Sequence, residues 1–414
     1  MSKRQEEGRV HEIRLKEGVV FHDDPCFEGG KGREVTAHDV VFSIQRLMDR
    51  QTASPGNWVL DGFVVGLDEF REASKEFEKL QTSYPDVAGL EVLGRYRLRI
   101  RLKKSYPQLH YVLAMGYTSV IPWEAIRHYG EEFQSHPVGT GPFRLVELNR
   151  SQKVVLERNP TYREDFYPTR GTEEDRRLGR LDDAGTRIPF LDRLVFTIYV
   201  ESQPMWLDFR LGFLDRRGIP KDQYDGAIDL TTRELRADLA ARGIRLDKTP
   251  EIEVIYDSFN QLDPVVGVPN GERGLALRRA MCLAVDESWW RSKLYNDRVE
   301  PVQGLLVPEF PEFDPDFVNP WKRAEDETYE EALARARQML ADAGMPNGEG
   351  VPPLYEEVTA STTGEQFHAA FKRDMARIGL DIRANRVTFQ QMLNRVDKGQ
   401  AQMWGAAWLA DYPD

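Results

Sequence analysis

The second half of the sequence alternates between helical and strand patterns, and this alternation is the feature that most restricts its fold. Apolar side chains recur at helical spacing in four segments after Asn260, namely residues 275–285, 329–343, 367–378 and 389–396. Apolar and polar side chains alternate in residues 380–384, which predicts a strand, and residues 402–409 are interpreted as the last strand. Gly344 and Gly379 end two of the helices. Alternating β and α segments predict an α/β layer.

The first half contains clear local elements. Thr36 is a good N-cap for an amphipathic helix over residues 37–49, with Asp39 in the position of a partial capping-box acid. Residues 96–103 alternate apolar and basic side chains, which predicts a half-buried strand. Its basic stripe favours a solvent face, and an anion site is the alternative. Residues 143–148 and 153–158 predict a hairpin.

Two later segments of this half differ in polarity. Residues 163–187 are crowded with charged and turn-forming residues, and such a composition cannot bury a face. We therefore predict a long surface insertion there. Residues 194–200 are almost entirely apolar and predict a buried strand.

Length and charge limit the class of protein. A chain of 414 residues exceeds one ordinary core, so two or three domains are expected. The net charge of −12 argues against nucleic acid or an anionic membrane as the main partner. Cys26 and Cys282 are the two cysteines, too few for a disulfide framework, and the sequence leaves their pairing open.

Motifs of known catalytic chemistry are missing from the sequence. Gly139-Thr140-Gly141 lacks the Lys and Ser/Thr that a phosphate-binding loop needs, and neither GxSxG nor HExxH occurs. His22-Asp23-Asp24 is the one compact group with metal-ligand chemistry, and a turn after a strand is its more common explanation. We predict no catalytic residue, no metal and no cofactor. Paired carboxylates are abundant in so acidic a chain, so an acidic hydrolase stays open as an alternative.

Aromatic side chains cluster beside one aspartate at the end of the sequence. Trp404, Trp408 and Tyr412 lie near Asp411, and rigid aromatic faces suit a binding pocket. Trp404 and Trp408 share one face of a strand, which favours core packing for Trp404 and leaves both roles open for Trp408. Asp411 is either an Asx-turn residue or a carboxylate for a charge-assisted bond to an ammonium group.

An ordered set of short motifs spans nearly the whole chain. It comprises Gly18 to Asp23, Val35 to Arg46, Pro137 to Phe143, Leu156 to Tyr162, Phe259-Asn260, Leu277 to Ala280, Leu283 to Asp286, and Trp408 to Asp414. This set resembles the bacterial extracellular solute-binding proteins of family 5, the peptide- and nickel-type receptors of ABC importers.

The resemblance implies a periplasmic-binding-protein-like α/β fold with two lobes and an extra small domain, incomplete in this chain. Residues 1–142 would form the small α+β middle domain, residues 143–258 part of lobe I, and residues 259–414 an incomplete lobe II. The hinge is expected near residues 256–260. The chain is expected to be truncated at both ends, which would leave unpaired strand edges and an uncovered apolar face.

The resemblance also implies a function and its partners. The chain would be the substrate-binding component of an ABC importer that captures a peptide-like, amine-bearing solute by lobe closure and delivers it to the membrane permease. Asp411 would pair with the α-amine, with Trp408 and Tyr412 beside it. The complete protein is expected to be a monomer that binds no nucleic acid, located in the periplasm or attached to the cell surface. A fragment without function of its own is a further alternative.

Overall fold

The computed structural model describes residues 8–249, 251–310, 312–324 and 326–412. It divides into two compact units, an N-terminal unit (Met1–Ile198) and a C-terminal unit (Tyr199–Asp414). The finer division expected from the sequence, at residues 142 and 258, stays a prediction.

The elements of the N-terminal unit follow in chain order. Its strands are β1 (Val10–Arg14), β2 (Leu90–Gly94), β3 (Arg97–Arg101), β4 (Phe143–Asn149), β5 (Lys153–Arg158) and β6 (Arg193–Thr197). Its helices are α1 (Ala37–Met48), α2 (Leu67–Ala73), α3 (Leu109–Val112), α4 (Trp123–Tyr129) and α5 (Glu173–Arg177). Short 3-10 helices occur at Glu28–Gly30, Asn57–Val59, Ser74–Glu76, Gly116–Thr118 and Gly130–Ser135.

One antiparallel sheet of this unit has the order β1-β3-β2. Leu98 and Ile100 of β3 are buried, as their alternation predicts. Arg99, on the other face, binds Glu12 of β1 and Glu91 of β2 at 2.6 and 2.9 Å. The basic stripe is therefore a cross-strand ion-pair ladder on the solvent side, which supports the solvent-face interpretation over the anion site.

A second antiparallel sheet has the order β4-β5-β6 and contains the predicted hairpin. The prediction of a buried strand over residues 194–200 was wrong about burial. Residues 193–197 do form β6, but Val195 and Phe196 are 53% and 54% exposed, and Val200 is 85% exposed. An apolar sequence favours burial, but it does not supply the neighbouring surface that would cover these side chains.

Residues 163–187 lie on the surface, as their composition predicts. A bridge between Phe166 and Arg187 closes the segment at its base. Within it, Thr172 caps the short helix α5, and Asp175 accepts hydrogen bonds from Thr172 and Arg180. Most side chains of the segment are exposed.

The C-terminal unit contains a mixed four-stranded sheet with the order β7-β10-β8-β9. Its strands are β7 (Glu253–Phe259), β8 (Leu354–Thr359), β9 (Ile382–Val387) and β10 (Met403–Leu409). Its helices are α6 (Ser202–Leu211), α7 (Tyr224–Ala227), α8 (Ala237–Ala240), α9 (Gly271–Ala284), α10 (Glu287–Trp289), α11 (Tyr329–Asp342), α12 (Thr362–Ala376) and α13 (Phe389–Asp397). A π-helical turn covers Trp290–Leu294, and 3-10 helices lie at Lys221–Gln223, Val268–Asn270 and Pro346–Gly348.

The predicted helices and strands of this half are confirmed within a few residues. Helices α9, α11 and α12 pack their apolar stripes into one core with the sheet. Gly379 ends the turn after α12 with a positive φ of 83°, and a Cβ there would lie 1.9 Å from the carbonyl oxygen of Asn347. Only glycine fits this position, which is why the sequence signal for the helix end was reliable.

The segment expected to act as a hinge, residues 256–260, lies inside the C-terminal unit. Most of it belongs to β7, which pairs with β10 along its whole length. The Asn260 side-chain amide donates to the carbonyl oxygens of Gly399 and Ala401 at 3.0 and 2.9 Å. Asn260 therefore fastens β7 to the turn before β10, and its role as a hinge residue stays a prediction.

The two cysteines are both free thiols, which answers the question left open by the sequence. Cys26 is buried in the core of the N-terminal unit, and Cys282 is exposed on α9. Among the described residues, no helix is both long enough and apolar enough to cross a membrane.

Candidate ligand-binding site

Strand β10 carries Trp408, continues to Asp411 and Tyr412, and has one partly open edge. Its antiparallel pairing with β7 runs from Met403 to Leu409. Its parallel pairing with β8 covers only Met403 and Trp404. From Gly405 to Leu409, the edge facing away from β7 therefore has no strand partner among the described residues. Such an edge presents backbone N–H and C=O groups that an extended chain can bind.

Gly405 leaves the open stretch of this strand without a side chain at one position. It lies opposite Asp257 of β7, and a Cβ at this position would come 3.1 Å from the Asp257 carboxylate oxygen Oδ1. A larger residue would push this carboxylate aside. The glycine also lets another backbone approach the strand closely.

Trp408 lies on the open stretch and stacks on a second aromatic ring. Its indole and the ring of Phe310 are nearly parallel, with centroids 6.3 Å apart and an interplanar angle of 17°. Phe310 packs in turn on Val254 and Val307, so the pair rests on a small apolar cluster. Trp408 keeps 43% of its surface exposed. We call Phe310 and Trp408 the aromatic shelf.

The other tryptophan of the strand is more enclosed. Trp404 is partly buried and lies between Ser258 of β7 and Glu357 of β8 in the sheet. Because residues four apart on a strand share a face, Trp404 and Trp408 point to the same side. The difference in exposure agrees with the sequence-based preference for a core role at Trp404. It leaves Trp408 available for contact with a ligand.

Asp411 follows the strand and is exposed. The chain is fixed just before it by a hydrogen bond from the Ala410 N–H to the Ile252 carbonyl oxygen, 2.9 Å long. The Asp411 carboxylate accepts no hydrogen bond from the described residues. An Asx-turn would need the N–H of residue 413, and Pro413 has none. This chemistry weighs against the turn interpretation and leaves the carboxylate free for a ligand.

Tyr412 is partly buried beside Asp411. The last two residues of the motif, Pro413 and Asp414, lie outside the described residues. The sequence-predicted set of Asp411, Trp408 and Tyr412 is thus brought to one end of β10, and its role in binding stays a prediction.

The side chains of His22, Asp23 and Asp24, the group with metal-ligand chemistry, do not meet at a common position. Asp23 binds Lys31 at 2.6 Å, whereas Asp24 accepts a hydrogen bond from Tyr129 at 2.9 Å. His22 is buried, and its pKa is lowered because burial disfavours the imidazolium form. No cluster of His, Cys, Asp and Glu suited to a metal ion is found among the described residues. The turn interpretation is therefore the better one for this segment.

Sequence reasoning missed a buried pair on the same sheet. Glu356 of β8 contacts His368 of α12, with 2.7 Å between the carboxylate oxygen Oε2 and Nδ1. The available signal was the pair of adjacent glutamates, Glu356 and Glu357, between Leu354 and Val358 of a strand. The partner of Glu356 lies on the following helix, and no local pattern marks that residue.

Comparison with known proteins places this chain in a family. The model of the bacterial extracellular solute-binding proteins, family 5 Middle, matches residues 2–414. The chain belongs to this family, as its ordered motifs suggested.

Two relatives illustrate the range of similarity. Di/tripeptide-binding protein 2 of Pseudomonas aeruginosa (strain UCBPP-PA14) is 23% identical over 421 residues, covering 99% of this chain and 66% of the relative. Periplasmic oligopeptide-binding protein OppA of Escherichia coli (strain K12) is 32% identical over 146 residues, covering 34% of this chain and 25% of the relative. The chain spans about two-thirds of the length of the relative that it matches from end to end.

Solved structures share the fold. The murein tripeptide binding protein MppA of Escherichia coli has a TM-score of 0.73 at 18% identity, covering 98% of this chain and 69% of that protein. The periplasmic binding protein DppA from Helicobacter pylori, solved in complex with peptide STSA, has a TM-score of 0.73 at 20% identity, covering 98% and 68%. The predicted periplasmic-binding-protein-like α/β fold is therefore confirmed.

Proposed function

We propose that this protein is the substrate-binding component of an ABC importer and captures a peptide-like solute that bears a free amine. Membership of a solute-binding family supports the general role. The relatives named above are described as binding di- and tripeptides or oligopeptides, which supports a peptide-like solute.

The observation that carries the proposal is the exposed Asp411 carboxylate at the end of the half-open strand β10. An extended peptide can add its backbone to the edge from Gly405 to Leu409. A charged α-amine at one end of that peptide would then meet Asp411. The aromatic shelf offers an apolar face to a side chain of the same ligand.

The proposed action is binding without chemical change. Closure of the protein around the solute would be stabilised by contacts that only the closed state makes. Delivery to the permease subunits would follow. The proposed location is the periplasm or the outer face of the cell membrane, and the complete protein would act as a monomer. Membership of a family of solute-binding proteins supports binding over the hydrolase alternative.

Native mass spectrometry with defined peptide pools tests this function. The protein is incubated with an equimolar pool of di- and tripeptides, and separately with the same pool acetylated at every α-amine. We expect peptide masses retained from the free pool and at least tenfold fewer from the acetylated pool, because acetylation removes the positive charge. Asp411→Asn should lower retention of the free pool in the same way, and Asp397→Asn, which changes an exposed aspartate at the end of α13, is its matched charge control.

Retention of neither pool would overturn the peptide-binding function itself. Equal retention of both pools would keep a peptide ligand but remove the amine from its recognition.

A further inference from the structure

The Glu356–His368 pair joins strand β8 to helix α12 inside the C-terminal unit. The side chains of Glu356 and His368 are only 12% and 9% exposed. Leu354, two residues before Glu356 on the same face, and Phe371, one helical turn after His368, both belong to the hydrophobic core. A titratable pair therefore replaces apolar packing at the junction between sheet and helix.

The neighbouring glutamate of the same strand forms a different kind of pair, an ion pair with an arginine. Glu357 points to the opposite face, its side chain is fully buried, and it binds Arg395 through two contacts of 2.9 Å. In the described part of the chain, Glu356 forms no such bridge with Lys or Arg. Its ionisable partner is His368, which can be neutral.

Charged groups on the surrounding elements do not fix the state of this pair. Glu365 and Lys372 act on His368 from α12 with opposite signs, and Arg386 acts from β9. On β7, burial and then the like charge of Glu356 raise the pKa of Asp257 to about 7. Burial raises the pKa of Glu356 to about 7. Burial also lowers the pKa of His368, so both groups are driven towards their neutral forms.

We propose that Glu356 and His368 form a proton switch in which one hydrogen bond persists while its donor changes from the carboxyl group to the imidazole. In the protonated state, the carboxylic acid O–H donates to Nδ1, and Nε2 carries the ring proton. In the deprotonated state, Nδ1–H donates to the carboxylate, and Nε2 has a lone pair. In the change the carboxyl O–H bond breaks as the Nδ1–H bond forms, and the Nε2–H bond breaks, so that one proton in total passes to water.

This switch lies next to the strand that carries the candidate binding residues. Glu356 is opposite Met403 in the parallel pairing of β8 with β10. Met403 begins the strand that continues to Trp408. A buried negative charge on Glu356 therefore develops against the base of β10. The proposal rests on the geometry of the pair and does not depend on the identity of the solute.

Long-range nitrogen–proton NMR of the histidine rings tests the switch, because it distinguishes the two tautomers directly. In the wild-type protein, one of the seven imidazoles should carry its proton on Nε2 at pH 6 and on Nδ1 at pH 8. His368→Gln assigns the signal. Glu356→Gln should hold the ring in the Nε2–H tautomer at both values, because its amide N–H can still donate to Nδ1.

Glu357→Gln is the matched control, since it removes the adjacent carboxylate on the other face and should leave the His368 tautomers unchanged. The stability of the protein should also depend on pH, with a defined sign. A raised carboxyl pKa gives stability that is present at low pH and lost as pH rises through about 7. The free energy of unfolding should therefore fall between pH 6 and pH 8 by more in wild type than in Glu356→Gln.

Two results would overturn the proposal, and the first needs no variant. One is that no imidazole of the wild-type protein changes tautomer between pH 6 and pH 8. The other is that His368 becomes an imidazolium in this range, which would make the pair an ordinary salt bridge.

Discussion

At the scale of single residues, the candidate site depends on side chains that the fold leaves unused. The Asp411 carboxylate has no hydrogen-bond donor among the described residues, and Trp408 keeps a large exposed face although its ring is stacked. Exposed aromatic and acidic side chains at a strand end stabilise the fold little, and this makes them suitable for binding. Trp404, four residues earlier on the same face of the strand, is more enclosed and packs within the sheet.

Truncation of the two tryptophans should separate these roles. Trp404→Ala should lower the free energy of unfolding by about 3 kcal/mol, because it removes a largely enclosed ring. Trp408→Ala should cost only about 1 kcal/mol of stability, since its main partner is the Phe310 ring. Urea denaturation measures both costs, and calorimetry with a peptide should show the larger loss of affinity in Trp408→Ala. The reverse order of stability losses would show that Trp408 is the packing residue.

At the scale of elements, the sequence predicted what is decided locally. Helices α1, α9, α11 and α12 were predictable because apolar residues at helical spacing and glycine stops act within one segment. The burial of β6 was not predictable, because an apolar run does not reveal what covers it. The Glu356–His368 contact was also hidden, since it depends on how α12 packs on β8.

The long insertion offers a test at the same scale. Replacing residues 172–183 by a short Gly/Ser linker should change stability by about 0.6 kcal/mol per halving of length, because its side-chain bonds lie within the segment. The bridge between Phe166 and Arg187 is kept in this variant. Thermal unfolding measures the effect. A loss of several kcal/mol in the free energy of unfolding would mean that the segment packs against the rest of the N-terminal unit.

At the scale of the whole molecule, the chain forms two compact units and matches a single family model. The family model covers residues 2–414, while the structure separates the chain at Ile198. The sequence resemblance reached the family because its motifs are short and ordered along the whole chain. The motifs do not define the ligand contacts by themselves, since a ligand contact is a property of the assembled site.

The central claim is that Asp411 binds the free amine of a peptide-like solute. Calorimetry on four combinations tests it most directly, with wild type and Asp411→Asn each measured against one tripeptide and its N-acetylated form. Loss of one partner from an enclosed charge pair costs about 2 kcal/mol or more, roughly a 30-fold loss of affinity. Either change alone should produce this loss, and the two combined should add little further loss, because both remove the same contact. Equal affinity of wild type for the free and acetylated peptides would contradict it.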